Sequence, residues 1–370
     1  MMELIKDLIL QIELSGLLGF LIDLMFFLAV YIIVTTALNL QYGYTGIPNF
    51  GLAFGVAIGA YMTGYLPGRL AYQIYFDKIA ENLGNRCPTL DYIRCNIMIR
   101  NYINKFLAQD PVLSMSLLVL TIVLSVLAGA ILGFLASYPA IRLRVDFLMM
   151  VLIAIAEGVR IIGMNYTPLA GGTLGVSVPN MLGWLDKYYN INRTLQNGIM
   201  VGSITFIVLI LSYFLMRSPY GRVLKAVRES EEAALAVGID VNRVKIEAMV
   251  VGSAIAAVAG SIYSLYLGNV VPTSYTRYDW TFWPWLMLLL GGRGSELGAL
   301  AGTVSIITLR RIVSVYKHTV QPFIPFDVVW LERIAMGLAF LVIMMFKPYG
   351  LFPEKPFRIR KIHEEPFRKL

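Results

Sequence analysis

The sequence predicts an all-α fold, a polytopic transmembrane helical bundle of about nine spans in which some helices are broken by glycine. Three observations carry this. By count, 58% of the 370 residues are hydrophobic and 15% are charged, whereas soluble domains run near half apolar and about a quarter charged. Stretches of about 20 apolar residues, enough to cross a bilayer, recur from Gly16 to Phe346. Between them, Lys and Arg gather in a few links and in the last stretch of chain.

In chain order, 1–15 reads as an amphipathic N-terminal segment, with Leu4, Ile5, Leu8 and Ile9 beside Glu3, Asp7 and Glu13. A transmembrane domain over 16–346 follows. Its first span is 16–40, and the glycine-rich segment 42–65 crosses next. The polar insert 66–111 carries ten Lys, Arg, Asp and Glu. Spans are expected at 112–137, 147–164 and 198–216, with Arg142 and Arg144 in the link 138–146. The link 217–247 holds six Lys or Arg. Further spans read at 248–267, 278–291, 297–316 and 329–346. A basic tail, 347–370, closes the chain.

Basic links face the cytoplasm. This places 138–146, 217–247 and the tail inside, which puts the insert 66–111 outside and, by parity, the N-terminus outside too. No cleavable secretory signal is expected, because the start lacks a basic stretch and no small-residue cleavage site follows. Cys87 and Cys95 lie in the insert, and both a disulfide and two free thiols are open. The histidines, His318 and His363, and the two cysteines lack metal-ligand spacing. No phosphate-cradling glycine loop or nucleophile motif is present. No catalytic residue, cofactor or metal is therefore expected, and the surplus charge of +8 is read as facing an anionic bilayer rather than nucleic acid.

Two segments combine a break with a regular glycine repeat. In the first, Gly43, Gly46 and Pro48 precede Gly51, Gly55 and Gly59. In the second, Gly291 and Gly292 precede Gly294, Gly298 and Gly302. Small residues at every fourth position allow close helix approach. A broken helix at membrane depth persists only where it is buried in protein or lines a cavity. Interrupted segments in corresponding positions of two halves point to a translocation pathway. Close packing and a pathway role are both open, and compatible.

Glu157 and Arg160 stand three apart in one span and can meet on one helix face. They are either a functional intramembrane pair or a self-neutralising one. The loop AGGTLGV follows at 170–176. Gly171, Gly172 and Gly175 could offer N–H groups to a substrate carboxylate, or form an ordinary turn.

The link 217–247 is expected to be helical from about Gly221 to Val237, stopped by Gly238. Glu232, Ala233, Ala234 and Gly238 spell E-A-A-x-x-x-G. This resembles the coupling-loop signature of ABC importer permeases. A carboxylate there offers a charged anchor, small alanines permit approach, and the glycine permits a sharp turn. Further segments agree in order: GYTGIPNFG at 43–51, AYMTG at 60–64, GGTLG at 171–175, YGRVLKAVRESEEAALAVGID at 220–240, LLGGRGSELGALAG at 289–302 and KPYGLF at 347–352. Together they resemble the branched-chain amino-acid ABC transporter permeases of LivM type.

The resemblance, running from about Leu38 to Phe352, implies a transport subunit that is not itself an enzyme. It would pass leucine, isoleucine or valine while partners hydrolyse ATP. It implies a second permease subunit of LivH type, two ATP-binding subunits and an extracytoplasmic solute-binding protein. Leu52 stands where many members carry His, Asn49 stands where they carry Ser, and Pro48 also departs from the commonest pattern. The solute therefore stays open to urea or amides, sugars and nucleosides. An ion-coupled secondary transporter would instead need a deep ionisable site, for which Glu157 is the candidate.

Overall fold

The computed structural model describes residues 2–83, 87, 91–320, 328–347 and 349–354. Helix α1, Met2–Leu38, continues into a π-helical turn, Asn39–Tyr44. The expected amphipathic start is thus one helix with the first span, since nothing between 15 and 16 breaks it. After an irregular stretch come α2, Ala53–Ile74, α3, Phe76–Leu83, and α4, Asn96–Leu107. Then follow α5, Pro111–Ala140, α6, Val145–Asn165, and the single turn α7, Thr167–Ala170. Helices α8, Gly183–Tyr189, and α9, Arg193–Arg217, lead to the link helices α10, Pro219–Glu229, and α11, Glu231–Ala236. Last are α12, Val241–Leu267, α13, Trp283–Gly291, α14, Glu296–Val320, and α15, Val328–Phe346. Two short strands, β1, Val176–Ser177, and β2, Asn269–Val270, pair antiparallel.

Among the described residues, six helices are long and apolar enough to cross a bilayer: Gly19–Tyr44, Pro111–Pro139, Val145–Asn165, Arg193–Arg217, Val241–Leu267 and Glu296–Ser314. The apolar helix Arg333–Phe346 is shorter. The expected crossings at 42–65 and 278–291 take another form. Helix α2 spans 22 residues but is rich in Gly, Ala, Tyr and Thr, because it is enclosed by protein and need not resemble lipid. Helix α13 has nine residues and follows a π-helical turn, Tyr278–Phe282.

The core is a three-helix contact of α2, α5 and α12, with α1 joining α12 to α9 and α14. On α12, Gly252, Ser253, Ala256, Ala257, Gly260, Ser261 and Ser264 are all buried. Helices α5 and α9 turn Val119, Val123, Leu127 and Ile131, and Ile199, Phe206 and Phe214, outward. Such stripes suit a solvent as apolar as the side chains. Helix α2 runs on to Ile74, so the first residues of the expected insert belong to the bundle. In the rest of the insert Cys87 and Cys95 are joined as a disulfide.

Candidate translocation pathway and coupling segment

The first break lies between the π-helical turn and α2, over 45–52, at the depth of the bundle core. Its polar groups are met one by one. The Asn49 amide donates to Gln41 Oε1 at 2.8 Å, and Gln41 Nε2 donates to the Met249 carbonyl at 3.2 Å. Asn49 Oδ1 accepts from the Gly51 N–H at 2.8 Å, and the Trp285 indole donates to the Asn49 carbonyl at 3.1 Å. Asn49 and Gln41 are fully buried. Unpaired polar groups there would be costly, so this network is what lets the backbone leave the helix inside the bundle.

The second break, 292–295, lies against the first. The Gly294 N–H donates to Asn39 Oδ1 at 2.9 Å, and the Asn39 amide reaches the Ser295 carbonyl at 3.4 Å. A Cβ on Gly43 would stand 2.6 Å from the Gly294 nitrogen. The structure therefore brings together Gly43 and Gly294, 251 positions apart in the chain.

The glycine repeats fall on contacts between backbones. Gly51 abuts the Leu152 carbonyl of α6, and Gly55 and Gly59 abut Ser253, Ala256 and Ala257 of α12. A Cβ at Gly55 would meet Ala256 Cβ at 3.0 Å, and at Gly59 it would overlap the Ala257 carbonyl. Gly291, Gly298 and Gly302 face one another across the α13–α14 hairpin. There a Cβ on Gly298 would stand 2.8 Å from the carbonyls of Gly291 and Gly292. Gly46, Gly292 and Gly294 have φ of 82°, 116° and 73°, angles that a side chain resists.

Glu157 and Arg160 do meet, with Arg160 Nε 3.0 Å from Glu157 Oε1. Arg277, from the segment after α12, adds a second cation 3.4 Å from Glu157 Oε2. Asp23 pairs with Arg311 at 3.1 Å. In the loop at 170–176, the N–H of Gly171 bonds the Thr167 carbonyl, and that of Gly175 bonds the Gly172 carbonyl. Two of the three expected anion donors are thus engaged by backbone carbonyls, one of α7 and one of the loop itself. Gly175 packs against the Val270 carbonyl of β2.

The link departs from one helix over 221–237. Ser230 interrupts it in extended conformation, and its hydroxyl accepts from the Ala233 N–H at 3.2 Å to cap α11. Ala234 is buried, while Glu232, Ala233, Leu235, Val237 and Gly238 are exposed. Gly238, at φ 83°, closes the helix, with the Ile239 N–H returning to the Ala234 carbonyl at 3.0 Å, a common glycine cap. Glu231 pairs with Lys245 at 2.7 Å and Glu229 with Arg228 at 2.7 Å. The adjacent guanidinium holds the Glu229 carboxyl below the usual range. Glu232 makes no ion pair among the described residues.

Arg228 ties this link to the breaks. It donates through Nη1 to the Gly43 carbonyl and through Nη2 to Glu354 at 2.7 Å, and it lies against Gly46 and Gly294. Glu354 also binds Lys225. Just before it, Leu351 and Phe352 donate to the Leu290 and Gly291 carbonyls at 2.8 Å each. The expected basic tail lies, beyond 354, outside the described residues.

The profile of the branched-chain amino acid transport system permease component family matches residues 20–346. The chain belongs to this family. It is 36% identical over 328 residues to a probable branched-chain amino acid transport permease protein LivM of Methanocaldococcus jannaschii, covering 88% of this chain and 91% of that protein. It is 26% identical over 253 residues to the high-affinity branched-chain amino acid transport system permease protein LivM of Escherichia coli, covering 61% of this chain and 55% of that protein. The corresponding LivH protein of Salmonella typhimurium is 29% identical over 171 residues, 44% of this chain and 54% of that protein. No solved structure matches the chain.

Membership makes this LivM-like chain a multi-pass membrane permease, and it directs attention to residues that sequence reading passed over. Gly129 and Gly133 of α5, and Gly252 and Gly260 of α12, complete the glycine contacts. Their spacing of four on α5 was a usable signal. Asn39 and Arg228 gave none, because their partners lie far along the chain.

Proposed function

We propose that this chain is the membrane subunit of an ATP-driven importer for leucine, isoleucine and valine. It works with a LivH-type second permease, two ATP-binding subunits and an extracytoplasmic solute-binding protein. In this reading the 217–247 link and the tail face the cytoplasm, and the insert holding Cys87–Cys95 faces an oxidising exterior.

The observation that carries the reading is the connection running from α11 through Arg228 to both breaks. Helix α11 is capped at each end and so holds its shape. Its outer surface offers one uncommitted carboxylate, Glu232, beside the exposed apolar groups Leu235 and Val237. That mixture of a charge and apolar anchors suits a protein partner. A push on α11 and α10 reaches Arg228, and Arg228 holds the Gly43 carbonyl. Residues Glu232, Ala233, Ala234 and Gly238 then act in coupling, while the glycine breaks lie where the pathway opens and closes. An ion-coupled carrier is less well supported, since Arg160 and Arg277 already neutralise Glu157.

The test is reconstitution with candidate partners and a panel of labelled solutes. ATP hydrolysis stimulated by the loaded binding protein, with uptake of branched-chain amino acids, is the expected result. Uptake that persists without ATP-binding subunits would refute it.

A further inference from the structure

At the end of α12 away from the 217–247 link lies a cavity of about 390 Å³, lined by α1, the end of α12, the segment 273–280 and α14. Its volume falls in the range of about 300–1,000 Å³ typical of small-ligand sites. Its floor is aromatic. Tyr31 and Trp280 stack with centroids 5.5 Å apart, and Tyr263 meets Trp280 edge-on at 4.8 Å. Its wall carries opposite charges. Arg310 Nη2 lies 2.8 Å from Asp279 Oδ1, with Arg310 24% and Asp279 30% exposed. The Tyr31 hydroxyl accepts from Arg310 at 3.1 Å and donates to the Asp279 carbonyl at 3.2 Å. The Thr276 hydroxyl donates to Asp279 Oδ2 at 2.8 Å.

Two features set this pair apart from a plain structural ion pair. Both side chains line the cavity, Arg310 while lying over the Trp283 ring at 4.8 Å. Asp279 also sits on the π-helical turn Tyr278–Phe282, and such turns occur frequently at functional sites. The cavity is lined by a second guanidinium too, Arg311, which is already paired with Asp23 at 3.1 Å. The Arg310–Asp279 pair thus offers one cation and one anion beside an aromatic wall, which matches a zwitterion with an aliphatic side chain.

We propose that this cavity binds the transported amino acid as it leaves the solute-binding protein, an inference that rests on the importer reading above. The α-carboxylate takes Arg310, the ammonium takes Asp279, and the side chain lies on Tyr31, Tyr263 and Trp280. The ligand thereby offers each member of the Arg310–Asp279 pair a partner of opposite charge. The protein carries no net charge change, and the guanidinium keeps the planar partner it favours. A solute lacking either charge leaves one member of the pair exposed to a poor partner, a cost that confers selectivity.

The natural chain has two cysteines, and both are in the disulfide, so a single introduced thiol reports cleanly. Thr273 lines the cavity and is exposed. In the reconstituted complex carrying Thr273→Cys, modification by a membrane-impermeant thiol reagent is followed with leucine, leucinol or 4-methylpentanoate present. At leucine about ten times its half-saturating level, labelling slows about tenfold, and the two singly charged analogues leave it unchanged. Adding Arg310→Gln or Asp279→Asn abolishes the protection.

Equal effects of all three compounds, or none from leucine, would overturn the proposal. This comparison needs only the Thr273→Cys background, so poor assembly of the charge variants does not rescue it. Uptake of labelled leucine is measured alongside. Uptake without protection sinks the cavity assignment and leaves the importer reading standing. Protection without uptake of any branched-chain amino acid does the reverse.

Discussion

Arg228 donates a hydrogen bond to the main-chain oxygen of Gly43, joining the basic link to the first break of the bundle. The same guanidinium binds Glu354 at 2.7 Å, so three separated segments meet on one side chain. A charge-assisted bond of this kind is worth about 1.5–3 kcal/mol. Arg228→Gln should leave membrane insertion intact and sharply reduce solute-stimulated ATP hydrolysis, with basal hydrolysis retained. Arg228→Lys, which keeps charge but loses the fork, should fall between. Wild-type stimulation in Arg228→Gln would show that the joint is dispensable.

On α11, Glu232→Ala should weaken docking of an ATP-binding subunit by about 1.5–3 kcal/mol without touching solute binding. Gly238 has open space around it but a φ of 83°. Gly238→Ala should therefore cost only the backbone term, about 1–2 kcal/mol, and Gly238→Val more, because β-branching resists that angle further. Stimulated ATPase activity of each purified complex decides this. Normal stimulation by Glu232→Ala and Gly238→Val together would make 217–247 a plain linker.

The glycine contacts are graded, and so are the expected effects. Gly55 leaves a Cβ 3.0 Å from Ala256 Cβ, a methyl that can yield, so Gly55→Ala should be mild. Gly59, Gly260 and Gly302 would each drive a methyl into a carbonyl. Alanine at any of these should cost about 1–3 kcal/mol, the usual price of overpacking. Thermal unfolding in detergent, position by position, reads the order. Equal tolerance at Gly55 and Gly59 would contradict the packing described.

Orientation is checked by accessibility. Cysteine at Arg142 or Glu232 should react with impermeant reagents only from the cytoplasm, and at Asn192 only from outside. Labelling of position 232 from outside inverts the topology and removes the coupling role.

How far the fold could be read beforehand depends on the range of the interaction. The breaks at Gly43–Pro48 and at Gly291–Gly292 were legible because they are written locally, in glycine and proline. So was the Glu157–Arg160 contact, one helical turn apart. Ser230 carried a helix-start signature ahead of Glu231 and Glu232, yet a single helix was expected there. The segment 42–65 reads as glycine-rich and broken, but its helix, α2, starts at Ala53 and runs on to Ile74. Its surroundings are protein, and composition alone does not say what a helix faces. The contacts of Asn39 with Gly294, of Arg228 with Gly43 and of Arg310 with Asp279 join distant segments and have no local trace.

Where α2, α5 and α12 touch, the glycines lie on backbone at Gly59 and Gly260 and on backbone and alanine methyls at Gly55 and Gly129. Such contacts contain no side chain able to change rotamer and absorb a displacement. The three helices must then travel as one stiff block, as in hinge or rigid-body transitions generally. Bending is left to the short non-helical stretches 45–52 and 292–295, which lie side by side and so can serve as a single hinge line across the subunit.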